Sequence, residues 1–312
     1  MAKPAPAPDR TDHQDIRIGT LAGGNAKTAD YIRQILPHGF ESFQINFWQR
    51  IPADVNLKKL AREVNDVLNE HADKTGHRAV ISSLGVFGNP LEDAKTAADF
   101  GKCIDAAGDF GAALVCGFAG CLTGKPVPDA MPQFKKVWAP LAKRAAGKGV
   151  RIAFENCDMG GNWRTASFNI AHAPTAWEMM FDAVPADNVG LEWEPCHQMN
   201  SLIDPLPQLD EWLAKGKVFH LHGKDATVRW DIVKKYGIRG GKQYVWHRTP
   251  GFGDTNWTDV ITLLRMHGYR GFIDIEGWHD PVYRDDLEMT GQVHGLNYLK
   301  QCRGSAFVPN PK

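Results

Sequence analysis

Four stretches decide the fold of this chain: RIAFENCD (residues 151–158), VGLEWEPCH (189–197), VFHLHGKD (218–225) and FIDIEGWHD (272–280). Each is a short apolar run that becomes polar toward its end. Side chains in a strand alternate between two faces, so residues two apart point in the same direction. In parallel α/β folds the carboxyl ends of the strands carry the site, so these polar ends are where function is expected.

Eight such runs lie between residues 16 and 302, separated by helical patterns such as the amphipathic segment 57–75. The predicted strands are residues 16–21, 42–48, 79–84, 113–118, 150–157, 189–195, 218–225 and 271–278. Strands that alternate with helices indicate a parallel sheet with crossover helices, and eight is the number that closes a barrel. The sequence therefore predicts an α/β protein that is a single-domain (β/α)8 TIM barrel over residues 16–302.

Three further segments have their own predicted character. Residues 1–15 are rich in Pro and Ala and lack the apolar core of a signal peptide, which predicts a disordered leader. Residues 303–312 are predicted to be a C-terminal tail. The connection at about 226–256 contains more Gly and Pro than a plain barrel helix tolerates, so it is predicted to be a lid-like insertion above the barrel mouth.

Composition excludes several classes of protein. The 36 basic residues balance 36 acidic ones, so no overall field attracts nucleic acid or an anionic membrane. No run of about eighteen apolar residues occurs, which argues against a transmembrane helix. The six cysteines form no CxxC pair, which argues against a disulfide framework or thiolate zinc site and favours a reducing, cytoplasmic location.

Strand alternation predicts a crowded barrel mouth. The residues expected to point inward from the last four strands are Glu155, Glu192, Glu194, His220, His222, Lys224, Asp274, Glu276 and Trp278. Carboxylates and imidazoles packed this closely would repel and desolvate one another unless a cation compensates them. One such group near the carboxyl end of each of the four strands would give three carboxylates and one imidazole, which is a hard, oxygen-rich ligand set. We therefore expect one divalent metal ion, Mn2+ by preference, with Mg2+ or Co2+ as alternatives.

The motifs FEN, EPCH, HLHGKD, HRTPGFGDTNW and IDIEGW resemble those of the xylose isomerase-like superfamily, in particular its sugar phosphate isomerase/epimerase branch. The resemblance implies a (β/α)8 barrel with a Glu, Asp, His, Glu metal site, usually for Mn2+. Carried onto this sequence, it implies Glu155, Glu194, His222 and Glu276 as metal ligands. This chain departs from the family at Glu194, where an Asp is usual.

The resemblance also implies catalytic roles. Glu155 and Glu276 would double as the acid/base pair, and His197 and Arg248 would contact the substrate, with His197 among the catalytic groups. Lys224 is predicted either to anchor a substrate oxygen or to neutralise the acidic mouth. The indoles of Trp48 and Trp278 are predicted to stack on a sugar, with core packing as the alternative.

Two residues below the mouth have structural interpretations. His220 is deeper in its strand than His222, so we expect it to be a hydrogen-bonded core histidine rather than a ligand. Glu192 is expected to pair with Lys224 or with another inward cation.

These assignments predict an enzyme of carbohydrate metabolism. The leading hypothesis is a metal-dependent isomerase or epimerase of a sugar or keto-sugar, working by proton abstraction next to a metal-bound carbonyl through an enediolate. The alternative is a lyase, dehydratase or deglycosylating enzyme acting on a 3-keto-glycoside or an inosose with the same metal site. A three-zinc DNA repair nuclease is disfavoured because it would need more His and Asp ligands and a basic face. A non-catalytic sugar-binding barrel is disfavoured because it would not need two opposed carboxylates. The expected partner is a small carbohydrate, and the resemblance allows a homo-oligomer.

Overall fold

The computed structural model describes residues 15–305, 308 and 310–311, and within them a closed barrel of eight parallel strands. The strands are β1 (Arg17–Gly23), β2 (Ser42–Trp48), β3 (Val80–Phe87), β4 (Leu114–Gly117), β5 (Arg151–Glu155), β6 (Val189–Trp193), β7 (Val218–Gly223), β8 (Asp225–Val228), β9 (Val245–Arg248) and β10 (Phe272–Ile275). All except β8 and β9 belong to the barrel, in the order β1-β10-β7-β6-β5-β4-β3-β2. Because β1 pairs with both β2 and β10, the barrel is closed and the predicted (β/α)8 architecture is confirmed.

Helices pack around the barrel and cover its outer face. They are α1 (Thr28–Ile35), α2 (Leu57–Thr75), α3 (Ala94–Ala106), α4 (Met131–Ala146), α5 (Pro174–Ala183), α6 (Pro195–Asn200), α7 (Pro205–Ala214), α8 (Trp230–Tyr236), α9 (Trp257–Met266) and α10 (Glu288–Arg303), with short 3-10 turns at Leu36–His38, Ala107–Phe110, Val127–Ala130 and Asp285–Leu287. Among the described residues, no helix is both long and apolar enough to cross a bilayer. The amphipathic segment predicted at 57–75 matches α2, which Asn56 caps by accepting a hydrogen bond from the Lys59 N–H.

Several strands end at positions other than those predicted. β1 and β3 run further toward the mouth than expected, while β5, β6, β7 and β10 end two or three residues earlier. As a result Glu194 and Glu276 each lie one residue beyond their strand. At the β5–β6 rim, side-chain bonds take over from the backbone ladder: Asn156 Nδ2 donates to the Glu194 carbonyl at 2.9 Å, and the Glu194 N–H donates to Asn156 Oδ1 at 2.8 Å.

The insertion predicted at 226–256 contains an antiparallel hairpin of β8 and β9, with the short helix α8 between the two strands. Asp225, the first residue of β8, anchors this hairpin to the barrel. Its Oδ1 accepts the N–H groups of Ala226 at 2.8 Å and Thr255 at 3.0 Å, and its Oδ2 accepts Trp257 Nε1 at 3.1 Å. The hairpin stands above the carboxyl end of β7, which is the position expected for a lid; its movement stays a prediction.

A buried ion pair ties the last helix to the first two strands. Arg303 donates to Glu41 from Nη1 at 2.6 Å and from Nη2 at 3.0 Å, and Nη1 also reaches the Ile16 carbonyl at 2.7 Å. Burial would raise the pKa of Glu41, but Arg303 outweighs it and lowers that pKa. Arg303 is therefore the last residue of α10 rather than the start of a tail, whereas the predicted leader, apart from Asp15, lies outside the described residues.

Replacing Arg303 by Met is expected to lower the free energy of unfolding by about 3–5 kcal/mol, because it leaves the Glu41 carboxylate buried without its main cation. Urea denaturation at pH 7 measures this change. Since the pKa of Glu41 is depressed in the folded state, the pair stabilises the fold above the ordinary glutamate pKa and loses its contribution as the pH falls. The difference between the variant and the natural protein should therefore shrink in acid.

The control is Arg284→Met, which removes an exposed partner of Asp285 and should change stability little. Equal stability of the Arg303→Met variant and this control would contradict the prediction.

Candidate active site

Four side chains from neighbouring strands converge at the barrel mouth. Glu155 ends β5, Glu194 follows β6, His222 lies in β7 and Glu276 follows β10. One ligand atom from each of the four lies within 4.8 Å of the other three. From His222 Nδ1 the distance is 3.9 Å to Glu155 Oε1, 3.9 Å to Glu194 Oε2 and 3.4 Å to Glu276 Oε2. The structure thus brings together the four residues predicted to be metal ligands.

Two asparagines fix the backbone that carries the first two carboxylates. The side-chain amide of Asn156, the residue after Glu155, donates to the Glu194 carbonyl and accepts a hydrogen bond from the Glu194 N–H. Asn169 Nδ2 donates to the carbonyls of Glu155 at 2.8 Å and Cys157 at 2.7 Å. Asn169 Oδ1 accepts the Ala119 N–H at 3.0 Å, which links this frame to the end of β4. The FEN motif therefore serves two purposes: Glu155 faces the mouth, and Asn156 holds the backbone of Glu194 in place.

The three carboxylates lie in different electrostatic surroundings. Burial, followed by repulsion from Glu194 and Glu276, raises the pKa of Glu155 well above its usual value. Burial acts on Glu276 in the same sense, but Lys224, with Nζ 3.1 Å from Glu276 Oε1, outweighs it and holds the pKa of Glu276 well below its usual value. Burial would also raise the pKa of Glu194, but His197 is the main group that outweighs it, and the pKa of Glu194 falls to about 2.

The donor atoms fit a divalent cation. Glu194 Oε2, His222 Nδ1 and Glu276 Oε2 are buried and have no hydrogen-bond partner among the described residues. Buried polar atoms without partners are costly, and these three face one another across a few ångströms. Together with Glu155 they offer three carboxylates and one imidazole, a donor set that suits Mn2+, Mg2+ or a similar ion. A bound cation would also offset the repulsion that raises the pKa of Glu155.

A second layer of polar side chains lies beneath this cluster. His222 Nε2 lies 2.9 Å from Gln44 Oε1 and 3.1 Å from Glu192 Oε1, which leaves Nδ1 directed at the cluster. His220 bridges Glu192 and Asp274, at 2.9 Å on each side, and is a hydrogen-bonded core histidine as expected. Such partners fix the ring orientation and the tautomer of a metal-binding histidine.

Of the two pairings expected for Glu192, the one with Lys224 does not form. Glu192 lies one layer deeper and pairs with the two imidazoles of His220 and His222. Lys224 follows the end of β7 and reaches Glu276 at the end of the adjacent strand β10. The alternative interpretation, in which another inward cation pairs with Glu192, is the one that the geometry matches.

A cavity of about 480 Å3, here called the inner cavity, opens above the four converging side chains. Its lining combines polar groups around the cluster with an aromatic wall. The polar lining includes Glu155, His197, His222, Lys224 and Glu276, and the aromatic wall consists of Trp48, Phe87, Phe118 and Trp278. Aromatic faces beside carboxylates and imidazoles are a suitable environment for a sugar, which offers both C–H faces and hydroxyl groups.

The predicted substrate contacts at Trp48, Trp278 and His197 all line this cavity. Trp48 is 62% exposed and packs edge-on against Phe118, with ring centroids 6.3 Å apart. Trp278 is 50% exposed. His197 Nε2 lies 2.6 Å from Glu194 Oε1 and 4.0 Å from Glu155 Oε1, so its ring borders the carboxylate cluster.

Arg248 is not among the residues that line the inner cavity, and its neighbour His247 takes that position. Arg248 Nε lies 3.0 Å from Asp280 Oδ2, and its guanidinium lies over the Phe252 ring. Consecutive residues of β9 point to opposite sides, so one of the two faces the cavity and the other faces away. Burial, then Lys224 and His197, lower the pKa of His247 to about 3, which keeps this imidazole neutral and able both to donate and to accept a hydrogen bond.

His279 is a second cavity residue that sequence reasoning missed. Its Nε2 lies 3.0 Å from Glu276 Oε1. The chain bends after β10, where Trp278 has a positive φ of 69°, and this bend turns His279 back toward Glu276. Strand alternation does not continue through such a bend, although the spacing of three residues from a predicted ligand was a signal that could have been used.

Comparison with known proteins identifies the family. Residues 32–302 match the family model described as the xylose isomerase-like TIM barrel, so the chain belongs to this family. An inosose dehydratase from Clostridium botulinum is 25% identical over 170 residues, which is 52% of this chain and 51% of the relative. The chain thus matches about half the length of that curated relative.

Solved structures show the same fold. A xylose isomerase-like TIM barrel protein from Mycobacterium smegmatis, in complex with magnesium, superposes with a TM-score of 0.68 at 18% identity and covers 95% of this chain and 99% of that one. A 3-keto-D-glucoside 4-epimerase from E. coli superposes with a TM-score of 0.65 at 14% identity, covering 92% of this chain and 100% of that one. At these identities the likeness concerns the fold alone.

The variant His222→Asn is expected to weaken Mn2+ binding by about 100-fold or more, because loss of a direct ligand costs at least as much as loss of a supporting residue. Glu194→Gln should act in the same direction. Isothermal titration of metal-stripped protein with Mn2+ measures the Kd and the stoichiometry, for which we expect one ion per chain.

The matched control is His38→Asn, an exposed histidine in the turn after α1, which should leave the Kd unchanged. If the natural protein binds no Mn2+, Mg2+ or Co2+, or if both ligand variants keep its Kd, the four residues are not a metal site.

Proposed function

We propose that this chain is a divalent-metal-dependent isomerase or epimerase of a sugar or keto-sugar. The observation that carries the proposal is the placement of Glu155 and Glu276, which enter one cavity from β5 and β10 with two strands between them. Two carboxylates on different sides of one site can remove a proton and return one to another face or a neighbouring carbon. The family match supports an enzyme that modifies sugars.

Glu155, Glu194, His222 and Glu276 would hold the ion. When bound, a divalent ion polarises a carbonyl and makes the neighbouring C–H more acidic. Glu276, kept ionised by Lys224 and His279, is the candidate base that removes this proton. Glu155, which enters the same cavity from β5, is the candidate acid that returns a proton.

Other cavity residues would position the sugar. His197 and the neutral His247 can hydrogen-bond hydroxyl groups, with ring centroids 5.1 Å apart on one side of the cavity. The aromatic wall formed by Trp48, Phe87, Phe118 and Trp278 would contact the C–H face of the sugar and limit access of water to the reacting carbon. In this arrangement the polar and apolar sides of the cavity match the two sides of one sugar ring.

The second candidate is a lyase, dehydratase or deglycosylating enzyme that uses the same residues. The partial match to an inosose dehydratase favours it, because dehydration of a keto-sugar starts with the same removal of a proton next to the carbonyl. The carbanion then expels an oxygen substituent on the adjacent carbon instead of being reprotonated. The two candidates share the first step and differ in the bond that breaks afterwards.

Deuterium exchange tests the first step. In D2O with Mn2+, the natural protein should introduce deuterium next to the carbonyl of an accepted substrate from a panel of ketohexoses, 2-keto-myo-inositol and 3-keto-glucosides. Glu155→Gln and Glu276→Gln should each lower the rate by about 100-fold to 10,000-fold, the usual contribution of general acid–base catalysis. NMR and mass spectrometry measure the exchange.

The control is Glu178→Gln, an exposed residue of α5 that should leave the rate unchanged. An accepted substrate that turns over without exchange, or undiminished exchange in the Glu276→Gln variant, would rule out the proposed base.

Product mass separates the two candidates. An isomerase or epimerase conserves the mass of its substrate, whereas elimination releases water or a second molecule. We expect mass to be conserved for at least one accepted substrate of the panel; products of elimination alone would replace the leading candidate with the second one.

A further inference from the structure

A second cavity, here called the outer cavity, lies beside the inner cavity at the same barrel mouth and measures about 640 Å3. It lies between the β1–α1 turn and the start of α10. Leu21 and Trp278 line both cavities, so the two meet at these side chains. A molecule bound by its reacting end in the inner cavity can therefore extend past Trp278 into the outer one.

Trp278 is held firmly at this junction. Its φ of 69° is uncommon for a bulky residue and implies backbone strain that the surroundings must sustain. The Trp278 N–H donates to Glu288 Oε2 at 2.9 Å, and Glu288 Oε1 accepts Gln292 Nε2 at 2.8 Å. Gln292 in turn accepts a hydrogen bond from Thr20 in β1. A half-exposed indole fixed in this way offers an aromatic face on which a sugar ring can stack.

The outer cavity is rich in hydrogen-bond acceptors. Its lining includes Asn25, Asp30, Gln34, Asp285, Asp286 and Glu288. Carboxylate and amide oxygens accept hydrogen bonds from hydroxyl groups, and Tyr31 adds a second aromatic ring to the lining. Aromatic rings combined with such acceptors suit a carbohydrate better than an apolar group.

The same lining disfavours an anionic ligand. A helix N-terminus usually attracts phosphate, but the start of α10 carries Asp285, Asp286 and Glu288. Among the described residues lining the outer cavity, Lys27 is the one cation and faces four carboxylates. In the inner cavity, Lys224 is already engaged by Glu276. A phosphorylated or carboxylated extension would meet repulsion, whereas a neutral one would not.

From this geometry we propose that the substrate is a neutral glycoside of two sugar units, with the reacting unit in the inner cavity and the second unit in the outer cavity beyond Trp278. The inference rests on the proposed function, because it takes the inner cavity as the reaction site. It adds the size and charge of the substrate: a disaccharide or similar glycoside rather than a free or phosphorylated monosaccharide.

Binding measurements test the outer cavity directly. The probes are cellobiose, maltose and lactose, compared with D-glucose and D-galactose, titrated into the Mn2+-loaded full-length protein by calorimetry and saturation-transfer NMR. At least one disaccharide should bind about tenfold or more tightly than its component monosaccharides, as expected for a few additional hydrogen bonds. In the Asp30→Ala/Asp286→Ala double variant, the affinity for that disaccharide should fall by about tenfold, while monosaccharide affinity stays the same.

Both substituted residues are exposed, so the double variant should fold, and circular dichroism can verify this. The matched control is Asp73→Ala, an exposed aspartate of α2, which should alter neither affinity. The proposal is overturned if none of the disaccharides binds more tightly than its monosaccharides, if none of the probes binds, or if the preference persists in the double variant.

The test is separable from that of the proposed reaction, because the double variant leaves Glu155 and Glu276 intact. A preference for disaccharides without deuterium exchange would keep the outer cavity as a sugar site and reject the reaction. Exchange on keto-sugars without any preference for disaccharides would reject the outer cavity alone.

Discussion

The burial of several like charges at one point is the constraint on which the mouth of this barrel depends. Glu155 and Glu194 are buried and the Glu276 side chain is only slightly exposed, and an uncompensated charge in such a position is very costly. The protein compensates two of them, with His197 beside Glu194 and Lys224 beside Glu276. Glu155 has no comparable partner, and burial, followed by repulsion from Glu194 and Glu276, raises its pKa. A divalent ion among the three would complete the compensation, which is why a metal site is the simplest account of the cluster.

The lower layer of the barrel shows that this polar site is supported from below. Asp274 accepts hydrogen bonds from Ser42 and Ser82 and pairs with His220, so a carboxylate at the barrel centre is satisfied by three strands at once. Through Glu192 the same network reaches His222. Buried polar networks of this kind restrict the arrangements that their side chains can adopt. The direction of His222 Nδ1 is therefore set by residues that never touch the inner cavity.

The sequence predicted the barrel because eight strands alternate with helices, and it predicted the inward direction of four central side chains because residues in a strand alternate with a period of two. Once the strands were recognised, alternation alone placed Glu155, Glu194, His222 and Glu276 on the inner side. Glu194 and Glu276 actually follow their strands, yet side-chain bonds such as those of Asn156 keep the chain extended long enough for alternation to hold. Alternation failed where the backbone leaves the strand pattern. His279 lies after the bend at Trp278, and His247 lies on a hairpin that was predicted only as a lid.

Within the proposed function, removal of the proton does not determine the product. An epimerase must return a proton to carbon, whereas a lyase must deliver one to a departing oxygen, and both deliveries need an acid on the correct side of the ring. The inner cavity offers Glu155, one of the four converging residues, as that acid, and the neutral His247 on the hairpin above can hydrogen-bond a departing oxygen. Which of these meets the reacting carbon or the departing oxygen depends on how the ring is oriented. In the proposed function the aromatic wall and the junction at Trp278 would set that orientation, so the apolar residues would select among the reactions that the charged residues make available.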